Sequence, residues 1–99
     1  MIRKRFFKTK DEVEVTFEYT ETEGVNSVAL VSEHNNWQPV EMTPLKRGGF
    51  QTKERFPKNG RFQFRYLVNG EMWVNDEDAD GYVGNEHGSQ NSIVDTASA

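Results

Sequence analysis

The chain contains no cysteine, and none of its apolar runs approaches the roughly 20 residues of a membrane span. The lack of cysteine excludes a disulfide framework and any thiol or cysteine–zinc chemistry. The basic amino end is not followed by the apolar segment of a signal peptide, so we expect a cytoplasmic protein. The formal net charge of -4 argues against a general affinity for nucleic acid or anionic membranes.

Hydrophobic residues recur instead with a period of two, and no window has a helical period. Residues 12–19 alternate between polar positions and the apolar Val13, Val15 and Phe17, which is the pattern of a half-buried strand. The predicted strands are 12–19, 27–32, 50–56, 62–68 and 91–96, with a further hairpin strand after residue 70. The predicted loops are 35–44 and 75–88.

Turn signals every ten or so residues predict an all-β fold, an antiparallel β-sandwich of about seven strands. At 99 residues the chain has room for one domain. We assign residues 12–96 to this domain. Residues 1–11 are interpreted as a basic, partly ordered segment, and residues 97–99 as a tail.

The Asn69-Gly70 hairpin signal decides where Trp73 points. With a three-residue connection that includes Glu71, Leu67 lies opposite Trp73, which then shares an outward face with Arg65. With a two-residue turn, Trp73 points into the core instead. The three-residue connection is the preferred interpretation.

Two tryptophans are therefore expected at the surface, Trp37 in an Asn-rich loop and Trp73 after the hairpin turn. An indole covers the apolar face of a pyranose ring, while amide and guanidinium groups satisfy the sugar hydroxyls. With Arg65 on the same strand face, this combination is typical of a protein that binds a sugar chain.

An ordered series of motifs runs from Val25 to Thr96. It consists of Val28 to Val31 leading into Asn35-Asn36-Trp37, then Gly49-Phe50, Phe64 to Gly70, Trp73, Asn75-Asp76 and Gly88 to Val94. The series resembles carbohydrate-binding module family 48, the type of the glycogen-binding domain of the AMP-activated kinase β subunit. It equally resembles the early-set domain at the amino end of isoamylases and branching enzymes.

The resemblance implies an immunoglobulin-like, early-set sandwich that binds α-1,4-linked glucan such as glycogen, starch or maltooligosaccharide. The binding residues that it implicates are Trp37, Arg65, Leu67, Trp73, Ser89 and Asn91. Arg65 stands where kinase-type modules have lysine, and His87 replaces an apolar residue that reaches the glucan. The turn before Trp73 is also one residue longer, as in many isoamylase and branching-enzyme domains.

In those enzymes the domain supports a catalytic barrel, which leaves an alternative function open. The chain is then an early-set scaffold or protein-interaction domain, accessory to a glycoside hydrolase or branching enzyme, with its sugar affinity lost. The expected partners are an α-glucan and, as a further candidate, a glycogen-metabolising enzyme. We expect no cofactor.

The candidate residues also have structural interpretations. Trp37 in that case plugs one end of the sandwich, and Trp73 is a core residue. Arg65 pairs with an outward carboxylate on a neighbouring strand. Asn91 fixes the last strand through its side chain.

No catalytic or metal site is predicted. Glycoside hydrolysis needs two carboxylates held across a cleft, and the acidic cluster at 76–80 lies in one loop. Asp76, Asp78 and Asp80 match the first half of an EF-hand calcium loop, but His87 occupies the position of its closing Glu. A weak calcium site is the alternative to a plain acidic surface loop. Like His87, His34 lacks the companions of a metal ligand or general base.

Overall fold

The computed structural model describes residues 1–97, which form ten strands, one 3-10 helix and no α-helix. The strands are β1 (Ile2–Phe6), β2 (Glu12–Tyr19), β3 (Val28–Ser32), β4 (Val40–Glu41), β5 (Thr43–Pro44), β6 (Phe50–Pro57), β7 (Arg61–Val68), β8 (Met72–Val74), β9 (Gly81–Gly84) and β10 (Gln90–Asp95). The 3-10 helix is Glu33–Asn35. Within this part of the chain no helix is long and apolar enough to cross a membrane.

The strands form two antiparallel sheets packed face to face, so the predicted β-sandwich is confirmed. The four-stranded sheet has the order β1-β2-β6-β5. The six-stranded sheet has the order β4-β3-β7-β10-β9, with β8 paired to β7.

The core lies between the two sheets and is built on aromatic contacts. The rings of Phe17 from β2 and Phe64 from β7 meet edge to face at 5.0 Å, and both side chains are fully buried. Tyr66 and Val68 continue the inward face of β7. Burying a side chain of this size stabilises the fold by about 1.5–3 kcal/mol.

The basic segment 1–11 contains a strand that was not among those predicted. Ile2 pairs with Phe17 and Phe6 with Val13, so β1 extends the four-stranded sheet along β2. Ile2 and Phe6 also pack against the core, whereas Arg3 and Arg5 are exposed. The alternation was missed because it is short and every other position is basic, which looks like a solvated end.

The two predicted loops also contain short strands. Within 35–44, β4 pairs with β3 and β5 pairs with β6. Within 75–88, β9 pairs with β10. Strands of two to four residues are too short to show a period of two. Their hydrogen bonds depend on partners elsewhere in the chain. Of the predicted tail, residues 98–99 lie outside the described range.

The three-residue hairpin connection is confirmed. Val68 pairs with Met72 and Leu67 with Trp73, which leaves Asn69-Gly70-Glu71 as the turn. Asn69 and Gly70 both have positive φ values, 55° and 71°. The Asn69 side chain also accepts hydrogen bonds from the Asn26 and Ser27 amides and donates one to the Gly24 carbonyl. The turn is therefore tied to a second loop and its length is well determined.

One edge of β7 is shared by two strands. β10 pairs with residues 61–64, and β8 pairs with residues 66–68. Arg65 therefore lies where one partner ends and the next begins. On the other edge of β7, Val31 of β3 lies opposite Arg65. The outward side chains at this junction form the floor of the site described below.

Candidate functional site

An open groove of about 860 Å³ lies over the junction of β3, β7, β8 and β10. Its lining residues are Val31, Trp37, Gln63, Arg65, Trp73, Asn85, Glu86, His87, Ser89 and Asn91. Five of the six residues implicated by the sequence are thus brought together. The sixth, Leu67, does not line the groove; it lies beyond Arg65 on the same face of β7, opposite Trp73.

The two indoles are both partly open to solvent. Trp37 is 41% exposed and Trp73 is 48% exposed, so neither is a core residue. Trp73 owes its position to the hairpin register. Trp37 is held by the loop after the 3-10 helix, where its amide donates to the Ser32 carbonyl at 2.8 Å. Both Asn36 and Trp37 have left-handed backbones with φ 61°, and Asn tolerates this conformation better than most residues.

Arg65 has no carboxylate partner within 4 Å in residues 1–97, so the ion pair offered as an alternative is not found. Its guanidinium carbon lies 5.6 Å from the centroid of the Trp73 ring, a cation–π contact. Arg65 Nη1 makes a long contact of 3.5 Å with Ser89 Oγ. Within the described residues its Nε is buried without a hydrogen-bond partner. The guanidinium is therefore held by stacking, and its charge is not neutralised.

Asn85 organises the loop that forms one wall of the groove. Its Oδ1 accepts hydrogen bonds from the amides of His87, at 2.9 Å, and Ser89, at 3.2 Å. Its backbone amide also donates to the Ser89 carbonyl at 2.9 Å. The loop closes with Gly88 in a left-handed conformation, φ 80°. Asn85 has a side chain suited to such turns, but nothing in the linear sequence places it beside Arg65.

Asn91 is only 8% exposed, and its amide is engaged at both ends. Its Nδ2 donates to Gln63 Oε1 at 2.9 Å, and its Oδ1 accepts from Asn85 Nδ2 at 3.2 Å. Asn91 thus anchors the last strand through its side chain, which is the structural interpretation given to it from the sequence. It also lines the groove. Gln63 was not predicted as a site residue, although its place two positions before Arg65 puts it on the same outward face.

The acidic half-motif, Asp76, Asp78 and Asp80, does not converge on one point, because the side chains of Asp76 and Asp80 interact with different residues of the protein. The Asp76 side chain is fully buried, and its Oδ2 accepts from the Tyr66 hydroxyl at 2.6 Å. Burial, and then the charge of Asp76, raise the pKa of the Tyr66 hydroxyl, which therefore remains a donor. Asp80 pairs with Lys4 at 2.6 Å. Across residues 1–97 no three His, Cys, Asp or Glu side chains are grouped as a metal ion needs.

The two histidines lie in different surroundings. His34 packs against core aromatics, with its ring 4.6 Å from that of Phe56 and 5.5 Å from that of Phe62. The His87 side chain is 81% exposed at the rim of the groove, 3.8 Å from Glu86. His34 therefore has a packing role, and His87 is open to a ligand.

The fold is shared with a domain found within larger solved proteins. One is the ferric enterobactin esterase from Salmonella typhimurium, which matches with a TM-score of 0.75 at 12% identity over 96% of this chain and 34% of that chain. Another is the enterobactin esterase from Shigella flexneri, solved in the presence of 2,3-dihydroxy-N-benzoyl-serine, with a TM-score of 0.75 at 12% identity over 99% and 33% of the two chains. The chain thus spans about a third of the length of these esterases. No family model and no curated protein sequence matches it.

Proposed function

We propose that the groove binds linear α-1,4-linked glucan and that the domain is a non-catalytic carbohydrate-binding module. The observation that carries this proposal is the pair of half-exposed indoles, Trp37 and Trp73, on one groove whose remaining lining is largely polar. Exposed tryptophan surface is costly to leave in water, and pyranose rings present apolar faces that cover it. The uncompensated Arg65 and the amide of Gln63 line the same groove and supply donors for sugar oxygens.

The composition of the groove also supports a binding role rather than glycoside hydrolysis. In the described residues Glu86 is the one carboxylate that lines it, and its side chain is 88% exposed. Hydrolysis of a glycosidic bond requires a second carboxylate about 5–9.5 Å away across the substrate. An exposed platform of two indoles buries little area, so the expected affinity is weak, in the high-micromolar to millimolar range, equivalent to about -4 to -6 kcal/mol.

The first test is an NMR titration of the folded domain with maltoheptaose, with a β-1,4-linked oligosaccharide of similar length as the comparison. Perturbations should concentrate on the indole signals of Trp37 and Trp73 and on the amides of residues 85–91. The absence of any shift at several millimolar maltoheptaose would refute the proposal.

Removal of either indole should weaken binding strongly without unfolding the domain. We expect Trp37→Ala and Trp73→Ala each to weaken glycogen co-sedimentation at least tenfold, because each removes one stacking surface. Met72→Ala is the matched control, since Met72 is 56% exposed and adjacent to Trp73 but does not line the groove. A loss of several kcal/mol of stability in either tryptophan variant would instead assign that indole a core role.

The second candidate is an accessory domain that supports a neighbouring catalytic domain and has lost its sugar affinity. The observation that favours it is the likeness to esterases about three times as long as this chain. At 12% identity that likeness concerns the fold alone. The same titration separates the candidates, because an accessory domain of this kind gives no response to maltoheptaose.

A further inference from the structure

The floor and one wall of the groove are connected by a chain of side-chain amides. It begins at Asn85, whose Oδ1 faces the backbone amides of His87 and Ser89. A backbone N–H can only donate, so these two contacts determine which end of the Asn85 side chain is oxygen. The Nδ2 of Asn85 must then point the other way, toward Ser89 Oγ at 2.9 Å and Asn91 Oδ1 at 3.2 Å.

The orientation passes from one amide to the next. Because Asn91 presents its oxygen to Asn85, its Nδ2 faces Gln63 and donates to Gln63 Oε1 at 2.9 Å. Gln63 is therefore left with its Nε2 group, which has no hydrogen-bond partner within residues 1–97. This amide chain, Asn85–Asn91–Gln63, ends in two free N–H donors at the groove.

We propose that Asn85 is a positioning residue that sets the direction of this amide chain, so that the groove offers N–H donors to the oxygen acceptors of its ligand. Arg65, which also lines the groove, can only donate. With Gln63 two positions away on the same face of β7, the polar floor of the groove is rich in donors. The identity of the ligand as a glucan rests on the proposed function above. The direction of the amide chain is a property of the free protein.

The physical consequence is a preference for ligands that present pure acceptors at this point, such as ring or glycosidic oxygens, which cannot donate. If the amide chain ran in the opposite direction, Gln63 would present its carbonyl oxygen beside Arg65. A ring or glycosidic oxygen of the ligand would then face an acceptor, and a buried or half-buried oxygen pair without a proton is unfavourable. Asn85 therefore acts on the ligand through two other side chains rather than by contact alone.

The experiment reverses the direction of the amide chain by a substitution at either of two positions. Asn85→Asp keeps an oxygen for the His87 and Ser89 amides but places a second oxygen opposite Asn91 Oδ1, so Asn91 and then Gln63 should turn over. Asn91→Asp leaves Asn85 in place and reverses Gln63 alone, which keeps the test decisive if the first variant folds poorly. Gln90→Glu is the matched control, because it adds the same charge next to the loop and its side chain belongs to neither the amide chain nor the groove lining.

Two readouts are required. In the free protein, the side-chain N–H2 signals of Gln63 should move strongly in both reversing variants and remain in place in the control. Affinity for maltoheptaose should fall about three- to tenfold in both variants, as expected for one lost hydrogen bond. Amide exchange at residues 87 and 89 should not accelerate in Asn85→Asp relative to the parent protein, since the loop keeps its acceptor.

The outcomes separate this inference from the proposed function. If the Gln63 signals do not move in either variant, the inferred direction of the amide chain is wrong, whatever the sugar affinity. Moved signals with unchanged affinity would overturn its role in ligand binding. If the parent protein does not bind maltoheptaose, the proposed function fails, and the role of the amide chain in glucan binding fails with it. The Gln63 signals still decide the direction of the amide chain in that case.

Discussion

At the scale of single residues, Trp37 has an unusual backbone conformation. A left-handed backbone is uncommon for any residue other than glycine and is a true exception for a bulky one. Trp37 adopts φ 61° directly after Asn36, which has the same φ. Such a conformation costs about 1–2 kcal/mol and persists where the surrounding structure enforces it, often at functional sites. The strain is consistent with an indole held out for a ligand.

Substitution of Trp37 should separate stability from binding. Trp37→Gly and Trp37→Ala should both lose sugar affinity, but the glycine variant should be more stable than the alanine variant by about 1 kcal/mol. Glycine adopts the left-handed backbone without penalty, whereas alanine does not. Urea denaturation of the two variants measures the difference. Equal stability, or a more stable alanine variant, would show that the backbone at this position is not strained.

At the scale of elements, the groove exists because β7 changes partners at Arg65. One edge of β7 is covered by β10 up to Phe64 and by β8 from Tyr66 onward. The three-residue turn after β7 then sets which face of β8 carries Trp73. A slip of one residue in a strand moves every side chain to the opposite face, so the whole site depends on the length of this turn.

Insertion of one glycine between Gly70 and Glu71 should move Trp73 to the inner face. If the three-residue connection is kept, Leu67 lies opposite Met72 and Trp73 opposite Tyr66, so the indole points toward an already filled core. We expect the insertion to shift the tryptophan fluorescence to shorter wavelength, to lower the free energy of unfolding and to eliminate the perturbation of Trp73 by maltoheptaose. Glu71→Gly keeps the length of the turn and is the control. An insertion variant that still binds sugar through Trp73 would contradict this dependence on register.

The outer face of the four-stranded sheet contains a carboxylate that should make stability depend on pH. Glu18 is only 5% exposed because side chains from β1, β6 and the turn before β6 cover it. Its carboxylate accepts hydrogen bonds from Arg47 at 2.9 Å and from Arg3 and Gln51 at 3.3 Å. The Arg47 hydrogen bond is the main cause that holds the pKa of Glu18 below its usual value, against the opposing effect of burial.

Because the pKa of Glu18 is lower in the folded than in the unfolded chain, its stabilising effect is present above the unfolded value of about 4.3. That effect is lost as the pH falls through the folded-state pKa. Glu18→Gln should therefore be less stable than the parent at pH 7, and the difference should shrink as the pH is lowered below about 4. Thermal melting over this range tests the prediction, with the exposed Glu41→Gln as control. A stability difference independent of pH would mean that Glu18 contributes by packing alone.

At the scale of the whole molecule, calcium should have no effect on folding or on sugar binding. Asp76 is buried against Tyr66, and Asp80 is paired with Lys4. Two of the three acidic side chains of the half-motif are therefore engaged elsewhere. Any cation attracted to the loop should be held with an affinity of the order of millimolar.

Thermal melting in EDTA, and then in several millimolar calcium, measures this directly. A ligand that binds only the folded state stabilises it by RT ln(1 + [L]/Kd), so a micromolar site would raise the melting temperature by many degrees. We expect a shift of about two degrees or less. A large rise, or a gain in maltoheptaose affinity with calcium, would make the acidic loop a functional site.

Several features of the fold follow from local sequence. The alternation of Val13, Val15 and Phe17 defines β2, because a period of two can bury one face only as a strand. The Asn69-Gly70 signal marks the hairpin, because both residues tolerate positive φ. The candidates Trp37, Arg65 and Trp73 were also available from the sequence, as outward aromatic and guanidinium groups beside turn signals.

Tertiary structure alone decided the rest. The strands β1, β4, β5 and β9 are stabilised by hydrogen bonds to partners elsewhere in the chain, which a local pattern does not contain. The floor of the groove likewise joins Gln63 to Asn85 and Asn91, residues more than 20 positions apart that meet only because β10 pairs with β7. Local pattern specifies which face of a strand is apolar, since that depends on neighbouring residues. Which polar side chains meet across the sheet depends on strand order and register, and these are set by the packing of the whole domain.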